Sequence, residues 1–336
     1  MLPQASFSSA ALDPACRGMI GVVPSQNTPF DADGAIDLAA VRRVARASIE
    51  ARVAGMLVLA VASENRSLTI DERRAVGEAF VDETGGRVPI IAAVSAPDIA
   101  TAVALTKAAV ASGVDGVCYQ APNGVSRDTL DEHVARICDL GPKLFMLQDL
   151  DWTGPGLSME DIGWLFERHE RFRAIKIEAN PAGPKYTLAL ETFGGRLHVS
   201  GGWAAAQMIE ALARGVHAFM PTAMDYIYVG IYTRFASGDV DGARALFERM
   251  LPFIAFSNQH IDVSIRFYKR VRQLDGIFPT AECRAPTPTL DAFQSAILDQ
   301  LAARAVELDR EIRSQPQKSS AAHGAPKSAT HVASAT

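Results

Sequence analysis

Cysteine is scarce and scattered. Cys16, Cys118, Cys138 and Cys283 stand far apart and form no C-x-x-C pair. That spacing removes support for a zinc ribbon, a thioredoxin-like redox motif or a disulfide framework. No run of Lys and Arg exceeds two residues, and 33 basic side chains face 38 acidic ones, a net charge of −5. Such a balance lacks the basic stripe that nucleic acid or an anionic membrane requires and is neutral toward small anions. Long apolar runs are also absent, so no membrane span is expected. The opening MLPQASFSSAALDPACRG has no apolar core of a secretory signal. Together these absences lead to the expectation of a soluble cytoplasmic protein.

The seven histidines (133, 169, 198, 217, 260, 323 and 331) form no H-x-H, no H-E-x-x-H and no carboxylate-flanked cluster. No metal site is expected from them, which disfavours a metal-dependent aldolase. A G-x-G-x-x-G after a strand, a Walker A loop and a G-x-S-x-G elbow are missing too, and no cofactor is expected.

What is present is ordinary globular composition: 336 residues, 48% hydrophobic and 21% charged, enough for a large core. Short apolar runs recur at 19–23, 55–62, 88–94, 116–121, 143–149, 173–179, 196–200 and 217–223, each bounded by Gly, Pro or a charge. Buried parallel strands read this way. An amphipathic helical pattern follows each run, as in 35–51 and 204–215. Eight such units predict a (β/α)₈ TIM barrel, with a doubly wound open sheet as the alternative. Residues 1–17 read as a loose N-terminal arm, 18–238 as the barrel, 239–313 as a C-terminal helical cap, and 314–336, rich in Ser, Ala, Pro and Gly, as a disordered tail.

Barrel enzymes carry their sites at the C-terminal ends of the strands. In the sixth run, Lys176 lies between Ile175 and Ile177. Alternation puts Lys176 and Glu178 on one face and the isoleucines on the other. With the isoleucines toward the helices, Lys176 points into the barrel. A buried amine is driven toward its neutral form, a nucleophile that forms Schiff bases with ketones. The plainer alternative is an ion pair of Lys176 with Glu178 or Glu64. Ser63 and Glu64 end the second run, with Thr69 and Glu72 spaced as a helix capping box behind them. Glu64 is either part of the site or a solvated loop residue. Gln148 and Asp149 end the fifth run, where an amide can orient a carbonyl or a water. Gly201 and Gly202 end the seventh, where backbone N–H groups can approach a carboxylate or phosphate, or simply turn the chain.

These residues together resemble the dihydrodipicolinate synthase / N-acetylneuraminate lyase family of Schiff-base aldolases. The resemblance runs from about Met19 to Pro288. It includes Thr28-Pro29-Phe30 with the D-x-D-G after it, Glu64 followed by L-T-x-x-E-R, the D-E-H of Asp131 to His133, Lys176, and Gly201 25 residues later. It implies a barrel with C-terminal helices, a homo-oligomer (tetramer or dimer), Lys176 as the Schiff-base lysine, and Ser63, Thr28, Gly201 and Gly202 around the substrate.

The departures narrow it. Ala60-Val61-Ala62-Ser63-Glu64 replaces the family's G-T-T-G-E, Gln148 stands 28 residues before Lys176 where the family has a catalytic Tyr, and Pro122-Asn123-Gly124 replaces a Tyr pair. A missing phenol relay speaks against synthase or sialic-acid lyase chemistry. Gln148-Asp149, Lys176-Ile177-Glu178 and Pro181-Ala182-Gly183-Pro184-Lys185 are closer to a divergent branch with 2-keto-3-deoxyarabonate dehydratases and pyrroline-4-hydroxy-2-carboxylate deaminases. The expected substrate is therefore a small 2-keto acid of the 2-keto-3-deoxy sugar acid type. Dehydration is the leading reaction, with Glu64 and Glu178 as acid/base candidates and Gln148 holding water. A retro-aldolase releasing pyruvate at the same site, and a non-catalytic metabolite-binding barrel, are the alternatives.

Overall fold

The computed structural model describes residues 9–315. Eight strands form one parallel sheet: β1 (Gly21–Val22), β2 (Met56–Val58), β3 (Ile90–Ala93), β4 (Gly116–Gln120), β5 (Leu144–Asp151), β6 (Phe172–Ala179), β7 (His198–Gly201) and β8 (Ala218–Phe219). Each strand pairs with its chain neighbour from β2 to β8, and β8 pairs back onto β1. Ser25 bridges to Leu57, and the amides of Gln26 and Leu57 bond across β1 and β2, so the sheet closes. This is the expected TIM barrel, not the open sheet.

The helices are α1 (Pro14–Arg17), α2 (Leu38–Glu50), α3 (Ile70–Thr84), α4 (Ile99–Ala111), α5 (Arg127–Cys138), α6 (Met159–Arg168), α7 (Ala182–Phe193), α8 (Met208–Arg214), α9 (Asp225–Ala236), α10 (Val240–Ser257), α11 (Ile261–Leu274) and α12 (Ala292–Ser314). Their starts are set by short polar caps that satisfy orphan backbone donors: Asp37, Asp98, Ser126 and Ser158 each accept from the backbone of the first turn. The Thr69–Glu72 capping box forms as its spacing predicted.

Two apolar layers separate at the sheet. Ile175 and Ile177 pack outward with Leu147, Val199 and the helices, while Ala174 packs inward with Cys118, Leu144, Met146 and Ala218. Each buried isoleucine contributes about 1.5–3 kcal/mol. A one-residue slip of β6 would lose both and turn Lys176 into the helix layer. Burial thus fixes the side on which Lys176 lies.

The segment expected to be a loose arm is partly outside the described residues. Within them, Leu12, Cys16 and Met19 are buried, and Cys16 and Met19 join the inner layer as the barrel's floor. Of the expected tail, 314–336, Ser314 ends α12, and residues 316–336 lie outside the described residues. Among the described residues no helix is long and apolar enough to cross a membrane.

Candidate active site

Among the described residues, seven non-glycine residues have a positive φ, and six of them (Leu59, Glu64, Trp203, Ala205, Ala223 and Met224) follow the C-terminal ends of β2, β7 and β8. Strained backbone gathers at the mouth where barrel sites are built.

Lys176 and Glu178 share the inner face of β6, and the Lys176 Nζ lies 3.0 Å from the Glu178 Oε2. Gln148 is the register partner of Lys176 on β5. Its Nε2 donates to the same Oε2 at 2.5 Å. The Trp203 backbone N–H donates to the other oxygen, Oε1, at 2.7 Å. Glu178 is therefore held by three donors from β5, β6 and the turn after β7. Ser200, the register partner of Lys176 on β7, turns its hydroxyl to the Ile175 carbonyl. Cys118 also faces this interior, but burial pushes its thiol up to about 12, so it is no nucleophile near neutral pH.

Gly201 at the end of β7 and Gly202 after it are tight in space, not special in backbone angle. A Cβ on Gly202 would sit 2.1 Å from Glu178 Oε1 and 2.6 Å from Lys176 Cε, and one on Gly201 would sit 2.7 Å from the Tyr186 hydroxyl. The turn does present an N–H to a carboxylate, as the glycine pair suggested, but that carboxylate belongs to Glu178. Beside it a cleft of about 390 Å³ opens between the ends of β6 and β7 and helices α7 and α8, with Trp152, Glu178, Gly202, Trp203 and His260 in its wall.

Three expected site residues are employed elsewhere. Glu64 is neither solvated nor in contact with Lys176. It is buried, ion-paired with Lys269 of α11, and its Oε2 accepts from the Arg284 N–H. Ser63 donates to the Gln26 carbonyl and Thr28 to the Ser63 carbonyl, both with their hydroxyls buried. These contacts stitch the loops after β1 and β2 under the segment that follows α11. Arg284 completes the seam, reaching the Gly34 and Ser67 carbonyls and Glu72, and lying over Phe30. The D-E-H of α5 is likewise structural: Asp131 bonds His169 and Arg168, and His133 bonds Tyr119.

The structure adds two further buried lysines, Lys269 and Lys185. Lys269 lies 4.0 Å above the Phe30 ring, donates to the Glu282 carbonyl and pairs with Glu64, and burial lowers its pKa. Lys185 pairs with Asp149 and donates to the Pro155 and Leu157 carbonyls. Burial raises the Asp149 pKa. Both ammonium groups are filled with acceptors. Lys176 has Glu178 as its one ion-pair partner among the described residues. No cluster of His, Cys, Asp and Glu fit to hold a metal occurs among the described residues.

The profile of the dihydrodipicolinate synthetase family matches residues 18–303. A DapA-like lyase of Halobacterium salinarum is 30% identical over 232 residues, 68% of this chain and 76% of that protein. A probable 2-dehydro-3-deoxy-D-pentonate aldolase of Escherichia coli is 28% identical over 69% of this chain and 79% of its own. A 4-hydroxy-tetrahydrodipicolinate synthase of Salinibacter ruber is 40% identical, but over 35% of this chain and 39% of that protein. Among solved structures, a dihydrodipicolinate synthase of Rhodopseudomonas palustris superposes with a TM-score of 0.76 at 22% identity, covering 85% of this chain and 98% of that one. A sialic acid aldolase of Ruminococcus gnavus gives 0.80 at 16%, covering 88% and 99%.

Proposed function

The chain belongs to the dihydrodipicolinate synthetase family and is a lyase, and from that premise we propose that it acts on a 2-keto-3-deoxy sugar acid through a Schiff base on Lys176, with dehydration as the net reaction. One observation carries the assignment of the lysine. Of the three buried lysines among the described residues, Lys185 is held by three oxygen acceptors and Lys269 by two and the Phe30 ring, whereas Lys176 faces a single carboxylate at 3.0 Å, and that carboxylate lines an open cleft.

Glu178 accepts the ammonium proton of Lys176, and the free amine adds to C2 of the keto acid. Glu178 returns that proton to the carbinolamine hydroxyl, which leaves as water, and the positive charge of the resulting iminium acidifies the C3 protons. Glu178 takes one of them. The enamine electron pair then expels the C4 hydroxyl, which leaves as water with the proton that Glu178 returns. A water oriented by Gln148 adds to the remaining iminium and releases product and amine. Gln148 and Trp203 keep the Glu178 carboxylate aimed at the inner face throughout. Glu64 has no part in this scheme, because its charge is committed to Lys269.

Retro-aldol cleavage at the same lysine is the second reading, favoured by the aldolase names of the Escherichia coli and Ruminococcus gnavus relatives. Against it stands Gln148 at the strand-five position. Tyr186, the tyrosine in the cleft wall, donates its hydroxyl to the Ile177 carbonyl instead of to the Lys176–Glu178 pair. Product analysis after incubation with 2-keto-3-deoxy sugar acids decides between them: dehydration gives a keto acid one water lighter, whereas release of pyruvate establishes the aldolase. The proposal extends to a cytoplasmic homo-oligomer, dimer or tetramer. Phe293 and Ile297 on α12, exposed at 82% and 47%, support assembly, which light scattering after size exclusion measures.

A further inference from the structure

Lys185 is nine-tenths buried, yet the chain it holds is not. Its Nζ donates to the Pro155 carbonyl at 2.5 Å and the Leu157 carbonyl at 2.7 Å, and it pairs with Asp149. Asp149 in turn accepts from the Leu157 N–H at 2.9 Å. Together they grip the second half of the turn between β5 and α6, at Pro155 and Leu157. Asp151 folds the middle of that turn by accepting from the N–H groups of Thr153 and Gly154, and the Asn180 N–H ties it to the end of β6. Trp152, Thr153 and Pro155 on this turn are exposed. Burying an ammonium and a carboxylate is expensive, and anchoring an exposed turn returns little core stability.

What the turn carries is Trp152. Its ring is tilted against that of Trp203, with centroids 4.4 Å apart. Trp203 sits in the left-handed region at φ 53°, a conformation costly for a bulky side chain, and in it the backbone N–H reaches Glu178. An unbroken series of contacts therefore runs from Lys185 through the turn, Trp152 and Trp203 to the carboxylate beside Lys176.

We propose that Lys185 is a positioning residue for the reaction at Lys176: with Asp149 it fixes the β5–α6 turn so that Trp152 braces Trp203 and the Trp203 N–H holds Glu178. The inference rests on the Schiff-base reading for its catalytic part and on contacts alone for its structural part.

The test compares wild type, Lys185→Met, Trp152→Ala and the double variant. The charge-free pair Asp149→Asn with Lys185→Met serves if Lys185→Met alone fails to fold. Near-UV circular dichroism reads the Trp152–Trp203 contact, with Trp164 as an unchanging background. Turnover is followed on the sugar acid found above, and borohydride trapping uses pyruvate. Lys185→Met should lose the same near-UV band as Trp152→Ala. Its kcat should fall about tenfold to a hundredfold, the scale of a small misplacement at a reacting centre, while pyruvate still traps on Lys176. The double variant should be no slower than either single one, because both act through one contact. An unchanged near-UV band, or losses that multiply, overturns the proposal while the Schiff-base reading stands. If wild type traps pyruvate nowhere, the Schiff-base reading fails and the catalytic half of this proposal fails with it, even where the band follows Lys185.

Discussion

Lys176 and Lys269 are both buried lysines, each facing a glutamate, but their surroundings differ. The Lys269 ammonium is enclosed by Glu64, a carbonyl and the Phe30 ring, so losing its carboxylate leaves a buried charge without a counterion. Glu64→Gln should cost about 3–5 kcal/mol of stability, seen as a lower urea midpoint, while pyruvate trapping on Lys176 survives in the folded fraction. Loss of trapping without loss of stability would return Glu64 to the chemistry. Glu178→Gln removes the counterion of buried Lys176 and should cost stability by the same rule, but unlike Glu64→Gln it should also slow pyruvate trapping and lower turnover by about 10²–10⁴-fold, the scale of a general acid–base group. Lys176 and Glu178 were legible in the sequence because strand alternation between two isoleucines dictates their face. The burial and pairing of Glu64 were not legible because its partners, Lys269 and Arg284, arrive from far along the chain, and no local pattern reports such a pairing. The contribution of Trp203 is a backbone N–H, invisible to any reading of side chains.

At the scale of elements, strands and most helices follow from apolar period and caps, but the way α12 docks does not. Asp309 of α12 accepts from the Ile227 N–H at the start of α9 and faces Asp225 and Asp275, with Arg272 the cation turned toward them. Burial, then the Asp225 carboxylate, push the Asp309 pKa up to about 7. A carboxyl raised in the folded state binds its proton more tightly there than in the unfolded chain. Its stabilisation is complete below about pH 4 and is lost as pH rises toward 7. Asp309→Asn keeps the acceptor for Ile227 and removes the titration. The variant should be more stable than wild type at pH 8 and gain nothing at pH 4, by thermal unfolding at the two values. Equal differences at both would show that Asp309 does not titrate in this window. The sequence predicts a helical cap over 239–313 but carries no signal that two carboxylates from α9 and α12 meet.

Across the whole molecule, the barrel has a floor and a mouth with different chemistry. The floor is closed by Met19 and by His198 and His217, stacked at 5.3 Å. Burial lowers the pKa of His198 to about 4 and that of His217 to about 3. The unfolded chain takes up these protons first as pH falls, so this stabilisation is present above about 6.5 and is lost toward pH 4–3, by up to about 1.4 kcal/mol per pH unit for each ring. Asp309 slopes the other way, so the acid loss should appear most clearly in the Asp309→Asn background, as a urea midpoint that drops between pH 6.5 and 5. A flat profile there would contradict a neutral buried pair. The mouth, by contrast, holds the strained turns, the Lys176–Glu178 pair and the cleft. The barrel itself was readable from eight apolar runs, and its closure at β1 and β2 rests on backbone bonds no pattern encodes. The central claim is that this mouth forms a Schiff base on Lys176, and borohydride trapping with pyruvate followed by peptide mass mapping tests it most directly. The account predicts one adduct, on the peptide carrying Lys176, abolished by Lys176→Ala; an adduct on Lys185 or Lys269, or none with any 2-keto acid, would contradict it.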